Sequence, residues 1–265
     1  MDLGDHCPEL LARCHPGIYS LKDFIAKAHA FVEELQRFHP AFRTLHLVGK
    51  SDRDSPALAP DLSNLDRWLL ARAWDAKAPR YWFSHLDAND LPTPDTTVSL
   101  GFNLGLTNLQ SWDDKVDVSV HAGCARSAVC NFILPRKSLP EFRRPPLPRQ
   151  LLELVLRHWP VRFASYSTGG WNRNVNWIGE QEDHKGCMEI GWLTYVDDPR
   201  VAHALPAGID AQPLGAGVVF ELTDHLSSFE DAADVAQGLR VKQALREAGL
   251  LRRPQADAEL PAAGR

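Results

Sequence analysis

One stretch of the sequence decides the fold: the run from Cys187 to Val196, which is CMEIGWLTYV. It is rich in aromatic and β-branched residues, and Asp-Asp-Pro closes it, as is typical of a strand that ends in a turn. Both sets of alternate positions are largely apolar, which indicates a strand covered on each side. We therefore predict that residues 187–196 form the central strand of a sheet and that Trp192 is buried beside the last helix.

Helices and further strands surround this run. A helix is predicted after Ser20, because Ser20 and Asp23 resemble a capping box and apolar residues then recur at helical spacing as far as Pro40. The first sixteen residues are polar and are predicted to be irregular. The pattern as a whole predicts an α+β fold, a mixed and mainly antiparallel sheet or sheets flanked by helices. The other predicted helices cover 61–72, 150–159 and a last segment capped by Ser227 or Ser228, and the other strands cover 98–106, 116–120, 128–134, 161–168 and 217–222.

The length of 265 residues suits one large domain. We expect a single α+β domain over residues 1–250, or two lobes that meet near residues 135–148, where five prolines and four basic residues indicate a surface crossover. Residues 251–265 are rich in proline and alanine and are expected to be a disordered tail.

Charge and composition exclude several classes of protein. The net charge of -5 shows no basic excess, so no nucleic-acid partner is expected. No run approaches the roughly 20 apolar residues of a membrane span, and residues 1–5 lack the pattern of a signal peptide, so we expect no membrane contact and a cytoplasmic location. The five cysteines form no CxxC motif and are expected to stay reduced.

The motifs of known catalytic sites are missing from the sequence. The eleven histidines are scattered without an HExxH motif, and there is no GxSxG motif. We therefore expect a protein that is not an enzyme and holds no cofactor or metal. Two alternatives stay open: a small hydrolase that uses Cys187 or the surroundings of His121, and a small-molecule-binding protein. The latter would use the polar face of the strand meander, whose side chains are Asn103, Asp117, Ser119, His121 and Asn131.

Two kinds of segment are candidates for binding a protein partner. Clustered carboxylates in loops can attract a basic surface, and aromatic side chains are common anchors of interfaces. The acidic candidates are Asp113, Asp114 and Asp117; Glu180, Glu182 and Asp183; and Asp197 with Asp198. The aromatic candidates are Tyr81, Trp82, Trp171 and Trp177.

Part of the sequence resembles a known family. The motif Gly191-Trp192-Leu193-Thr194-Tyr195, the Leu-Pro pair at 205–206 and the early stretch from His39 to Ser51 are similar to the immunity protein 52 family of bacterial polymorphic toxin systems. The resemblance implies an α+β fold and a role in neutralising a cognate nuclease toxin that has a restriction-endonuclease-like domain, in some cases one delivered by type VI secretion. It supplies no catalytic residues.

Such a role would require fast and tight binding. Acidic loops facing the basic DNA-binding cleft of a nuclease would raise the association rate, and aromatic anchors would slow release. The sequence therefore predicts electrostatically steered binding through at least one of the three acidic clusters.

Overall fold

The computed structural model describes residues 6–73, 82–111, 113–125, 128–176 and 188–251. It confirms the α+β fold, with one nine-stranded sheet, a separate two-stranded hairpin and helices against the sheet. The strands are β1 (Pro8–Cys14), β2 (His46–Leu47), β3 (Phe83–Leu86), β4 (Pro92–Val98), β5 (Phe102–Thr107), β6 (Asp117–Ala122), β7 (Ala128–Ile133), β8 (Val161–Thr168), β9 (Leu193–Val196), β10 (Ala211–Leu214) and β11 (Gly217–Glu221). The helices are α1 (Leu21–Phe38), α2 (Leu65–Ala73), α3 (Leu147–His158), α4 (Gly169–Trp171), α5 (Val201–Ala204) and α6 (Ala232–Glu247), and a π-helical segment covers Asn172–Asn176.

Strand order in the large sheet is β10-β11-β9-β8-β1-β7-β6-β5-β2, and every described pair is antiparallel. Strands from both sides of residues 135–148 therefore pair in the same sheet. The consecutive strands β5, β6 and β7 form the predicted meander. Among the described residues, no helix combines the length and apolarity needed to cross a bilayer.

The first helix begins as its sequence predicts. The Ser20 hydroxyl accepts a hydrogen bond from the Asp23 backbone N–H and donates one to the Asp23 carboxylate. Helix α1 then buries an apolar stripe against the sheet and ends at Phe38, just before Pro40. The cap at Ser20 and the helical spacing are confirmed, with the Asp23 carboxylate bonded to the Ser20 hydroxyl.

The prediction for the central strand is wrong in its bounds and its place. Strand β9 contains only Leu193–Val196 and is third from one edge, whereas the middle of the sheet is β1, in the segment predicted to be irregular. The Trp192 carbonyl oxygen still accepts from the Leu222 N–H, but the two residues before it bond to side chains. The Gly191 N–H donates to the Thr194 hydroxyl, and the Ile190 N–H donates to the Asn176 side chain. A Cβ at position 191 would lie 2.5 Å from the Tyr166 carbonyl oxygen, so only glycine fits there.

Two other boundaries also differ from the sequence pattern. The run predicted as one strand over 98–106 is broken by a turn at Gly101, whose φ of 77° is a conformation that glycine adopts readily. This turn leaves Leu100 52% exposed. The last helix is capped by Asp231, whose carboxylate accepts from two backbone N–H groups, and not by Ser227 or Ser228.

Trp192 is buried, as predicted, but its neighbour is different from the one expected. Its ring meets Tyr166 edge to face, and its indole N–H donates to the Thr223 carbonyl oxygen. The tryptophan that packs against the last helix is Trp171, since a Cβ at Gly238 of α6 would lie 2.6 Å from its ring.

The two faces of the sheet are covered unequally. One face packs along its length against the apolar core that includes α1 and α3. Within the described residues, the second face is covered over β8, β9 and β11, by α6, the π-helical segment and residues 188–190, and we call this part the covered half. Over β5, β6, β7 and β1 no described element lies on the second face, and we call this part the open face.

Candidate binding surface

The open face is a four-stranded platform whose side chains are arranged in cross-strand rows. Burial alternates strictly along β1 and β6 and along β7, so that one side chain in two is buried in the core and the next is half-exposed or exposed. In the covered half, by contrast, β9 is buried at all four positions. The rows of the open face, from β5 to β1, are Asn103, His121, Val129 and Arg13; Gly105, Ser119, Asn131 and Leu11; and Thr107, Asp117, Ile133 and Glu9.

The chemistry of the open face is mixed and nearly neutral. Aliphatic side chains alternate with amide and hydroxyl groups, and Asp117 is paired with Lys115 at 2.8 Å. Burial lowers the pKa of His121, so its imidazole is uncharged at neutral pH. A platform of half-buried aliphatic and hydrogen-bonding groups on regular strands suits the contact face of another protein.

The border between the open face and the covered half holds two carboxylates. Burial raises the pKa of Glu9 on β1, and the nearby carboxylate of Glu189 raises it further. The Asn131 side chain donates to Glu9 and works in the opposite direction. Glu9 therefore lies at the edge of the layer formed by α6, the π-helical segment and residues 188–190, which we call the covering layer. Its site there disfavours its charged form.

Residues 188–190 of the covering layer are held by a buried polar clamp. The Asn176 side chain accepts from the Ile190 N–H at 2.9 Å and donates to the Ile190 carbonyl oxygen, which also accepts from the Trp171 indole. Lys242 on α6 donates its ammonium to the carbonyl oxygens of Val175 and Asn176. The clamp joins Asn176 to Ile190 and ties the end of the π-helical segment to the last helix.

Most of the predicted acidic residues that the structure describes have cationic neighbours. Asp113 pairs with Lys137 at 2.8 Å, and this bond lowers the pKa of its carboxyl. Asp114 is exposed, and Asp117 is paired with Lys115 as described above. The first predicted cluster is therefore largely neutralised by its own surroundings.

In the third predicted cluster, one carboxylate has a cationic neighbour and the other lies beside a histidine. Asp198 holds the Arg200 side chain, which lowers the pKa of Asp198, and Asp197 lies 2.9 Å from the His15 ring. Strand register places Asp197 at the opposite end of the sheet from Asp117 and four strands away, on the order of 20 Å. The structure does not bring these two clusters together.

The predicted aromatic residues also differ in their exposure. Trp171 is fully buried between α6 and residues 188–190, so it stabilises the fold and is not available to a partner. Trp82 is half-exposed beside the β3–β4 hairpin. Five predicted partner-binding residues lie outside the described residues: Tyr81, Trp177, Glu180, Glu182 and Asp183.

One constellation was missed by the sequence analysis. The Cys124 thiol lies 3.7 Å from Nε2 of His121, and Nδ1 of the same ring lies 2.8 Å from the Asn103 side-chain oxygen. His121 and Asn103 are partners across β5 and β6, a pairing that depends on the register and leaves no spacing motif. Within the described part of the chain, no group of three or more His, Cys, Asp or Glu residues could hold a metal ion.

A second concave surface lies on the other side of the sheet. A groove of about 750 Å³ runs between α1, α2 and the start of β4, with an apolar floor that includes Leu21, Ile25 and Leu70. Its rim carries charges of both signs, among them Lys22, Arg67 and Asp66. This groove and the open face are therefore separated by the sheet and α1.

No protein-family model matches the chain, and no curated protein matches it. Among solved structures, the chain is similar to the Pseudomonas aeruginosa T6SS protein PA0821. The identity is 14%, the TM-score is 0.51, and the match covers 96% of this chain and 77% of that one. At this identity the similarity shows the fold over nearly the whole chain.

Proposed function

We propose that this protein is an immunity protein that binds and neutralises a cognate nuclease toxin of a type VI secretion or related polymorphic toxin system. The observation that carries the proposal is the open face, a regular four-stranded platform over which none of the described elements lies, beside a half whose second face is covered. The residue pattern around Trp192 resembles immunity protein 52, and the fold is shared with a protein whose name places it in T6SS.

The physical argument for the open face is its rigidity combined with its exposure. The backbone of hydrogen-bonded strands loses little further freedom when a partner binds, because it is already fixed on both sides. Leu11, Val129 and Ile133 can supply apolar contact, and the amide and hydroxyl groups between them can supply hydrogen bonds. The surface therefore meets the requirements of a tight protein interface.

Charge is expected to contribute less than the sequence suggests. The carboxylates of Asp113, Asp117 and Asp198 already have cationic neighbours at 2.8–3.1 Å, so they present little net negative potential to a basic cleft. Binding through the open face should consequently depend weakly on salt. A strong salt dependence of the association rate would instead favour the cluster of Glu180, Glu182 and Asp183.

The test is inhibition of the cognate nuclease, which under this proposal is the product of a neighbouring gene. The purified nuclease domain is incubated with DNA and rising amounts of this protein, and the expected result is full protection of the DNA at a one-to-one ratio. The matched pair of variants is Asn131→Arg on the open face and Gln243→Arg on the exposed side of α6. We expect the first to lose at least about 100-fold in affinity because a charged chain fills the contact surface, and the second to bind normally.

Two results would contradict the proposal. Unhindered DNA cleavage in the presence of excess protein would remove the assigned role. Equal inhibition by both variants would leave the role intact and show that the interface is elsewhere.

A further inference from the structure

Cys124, His121 and Asn103 are arranged like the nucleophile, base and orienting residue of a nucleophilic catalytic site. A thiol contacts one nitrogen of an imidazole at 3.7 Å, and a side-chain oxygen holds the other nitrogen at 2.8 Å. A nucleophile, a base in reach of it and a third group that orients the base are the signature of activated cysteine and serine sites.

The hydrogen bond to Asn103 determines which nitrogen can act as the base. The Asn103 side-chain oxygen only accepts hydrogen bonds, so Nδ1 of His121 must carry the proton. Nε2 then bears the lone pair, and this is the atom that faces the Cys124 sulfur. Burial disfavours the imidazolium and keeps the ring available as a base at neutral pH.

The position of the three residues is fixed by the strands. Asn103 and His121 are direct partners in the β5–β6 ladder, and Cys124 follows the end of β6 after the turn at Gly123, whose φ is 86°. The Cys124 carbonyl oxygen accepts from the Gly17 N–H, which holds the turn against the residues after β1. The geometry is thus built by backbone pairing.

We propose that Cys124 is a nucleophile toward small activated acyl esters, with His121 as its base and Asn103 as the residue that positions His121. The Cys124 thiol proton passes to Nε2, the sulfur bonds to the acyl carbon, and the ester C–O bond breaks. The departing alcohol takes the proton from Nε2, which leaves a thioester on Cys124. Water then gives its proton to Nε2 and its oxygen to the acyl carbon, and the leaving sulfur recovers the proton. Cys124 is 4% exposed, so the acyl group must be as small as acetyl.

This inference does not rest on the proposed immunity function, because it concerns the isolated chain. The test uses p-nitrophenyl acetate with the full-length protein, and release of p-nitrophenol and the acetyl adduct are followed by absorbance and mass spectrometry. We expect adduct on Cys124 well before Cys7, Cys14 and Cys130, which are buried as Cys124 is and serve as internal controls.

Three variants decide the roles. His121→Gln should slow acetylation of Cys124 by about 100-fold, the usual contribution of a positioned base. Asn103→Leu should slow it as well, and Asn103→Asp should restore the rate because it keeps an accepting oxygen at the same place. Unfolding temperatures of all variants verify that the fold is retained. Acetylation of Cys124 that is no faster than that of Cys7, or that is unaffected by His121→Gln, would overturn the proposal.

Discussion

The two halves of the sheet share the same antiparallel strand geometry but differ in whether their second face is buried. In the covered half, the second face is buried under α6 and the π-helical segment, and even its polar groups Thr194, Asn172 and Asn176 are buried. On the open face, β1, β6 and β7 each bury one set of alternate side chains and leave the other set half-exposed or exposed. The comparison shows that both faces of the sheet are buried on one side of β1, whereas on the other side only the face against α1 and α3 is buried in the core.

The border between the halves falls at β1, because this strand has both kinds of neighbour. It pairs with β7 of the open half and with β8 of the covered half. Glu9 lies on this strand near Glu189, one of the residues that cover the second face of the other half. The ionisation of Glu9 can therefore be used to examine the border between the halves. Four substitutions test the comparison, two in the covered half, one at the border and one on the open face.

The largest effect is expected from Trp171→Ala. The indole is fully buried against Gly238 and donates to the Ile190 carbonyl oxygen, so its removal leaves a cavity and an unmade hydrogen bond. We expect a loss of about 3–5 kcal/mol in the free energy of unfolding, measured with urea. The control Ile133→Ala on the open face should cost about 1 kcal/mol, because its side chain is only half-buried. Similar costs for the two variants would abolish the distinction between the halves.

Asn176→Ala is expected to have the next largest effect. It leaves the buried Ile190 N–H without its acceptor and removes a donor from the Ile190 carbonyl oxygen, which should cost about 2–3 kcal/mol. Hydrogen exchange at the Ile190 amide should also be faster in this variant than in the natural protein. Asn131→Ala, the matched change on the open face, should cost less than about 1 kcal/mol. An unchanged exchange rate at Ile190 would show that the clamp does not hold the covering layer.

The sequence predicted the fold class, helix α1 with its cap and the meander, because these depend on local periodicity and capping. It did not predict β1, whose seven residues alternate correctly but lie among polar neighbours that hide the signal. It assigned residues 188–192 to a strand because apolar residues that cover a sheet look like residues within one. Trp171 was proposed for a partner and is a core residue, and the contact of Cys124 with His121 depends on a turn that no spacing reveals.

Glu9→Gln tests the border between the halves through the pH dependence of the free energy of unfolding. The folded state raises the pKa of Glu9 above its ordinary 4.5, so the folded state binds more protons there than the unfolded state, and stability falls as the pH rises from about 4.5 through the raised value. The variant removes this loss and should be more stable than the natural protein at pH 7, with an advantage that disappears below about pH 4.5. The slope cannot exceed about 1.4 kcal/mol per pH unit for one group. Urea midpoints measured from pH 4 to pH 8 check the sign, and an advantage that grows toward low pH would be the opposite of our expectation.

The smallest change in stability is expected from Ser119→Arg in the middle of the open face. The side chain of Ser119 is exposed, so the unfolding free energy should change by less than about 0.5 kcal/mol. A larger loss, measured by the same urea titration, would mean that this face is packed against part of the chain. The same substitution should nevertheless weaken nuclease binding strongly. A single position would then distinguish a role in binding from a role in stability.

The central place of β1 has a consequence for how the chain folds. Its partners β7 and β8 come more than a hundred residues later in the sequence, so the middle of the sheet cannot close until most of the chain is present. Contacts between residues this far apart slow folding, since a long loop must be ordered before they form. The meander β5 to β7 and its neighbouring helices can assemble from nearby residues, and we expect β1 to join them late. A refolding experiment with pulsed hydrogen exchange should therefore show the amides of residues 8–14 gaining protection after those of β5 and β6.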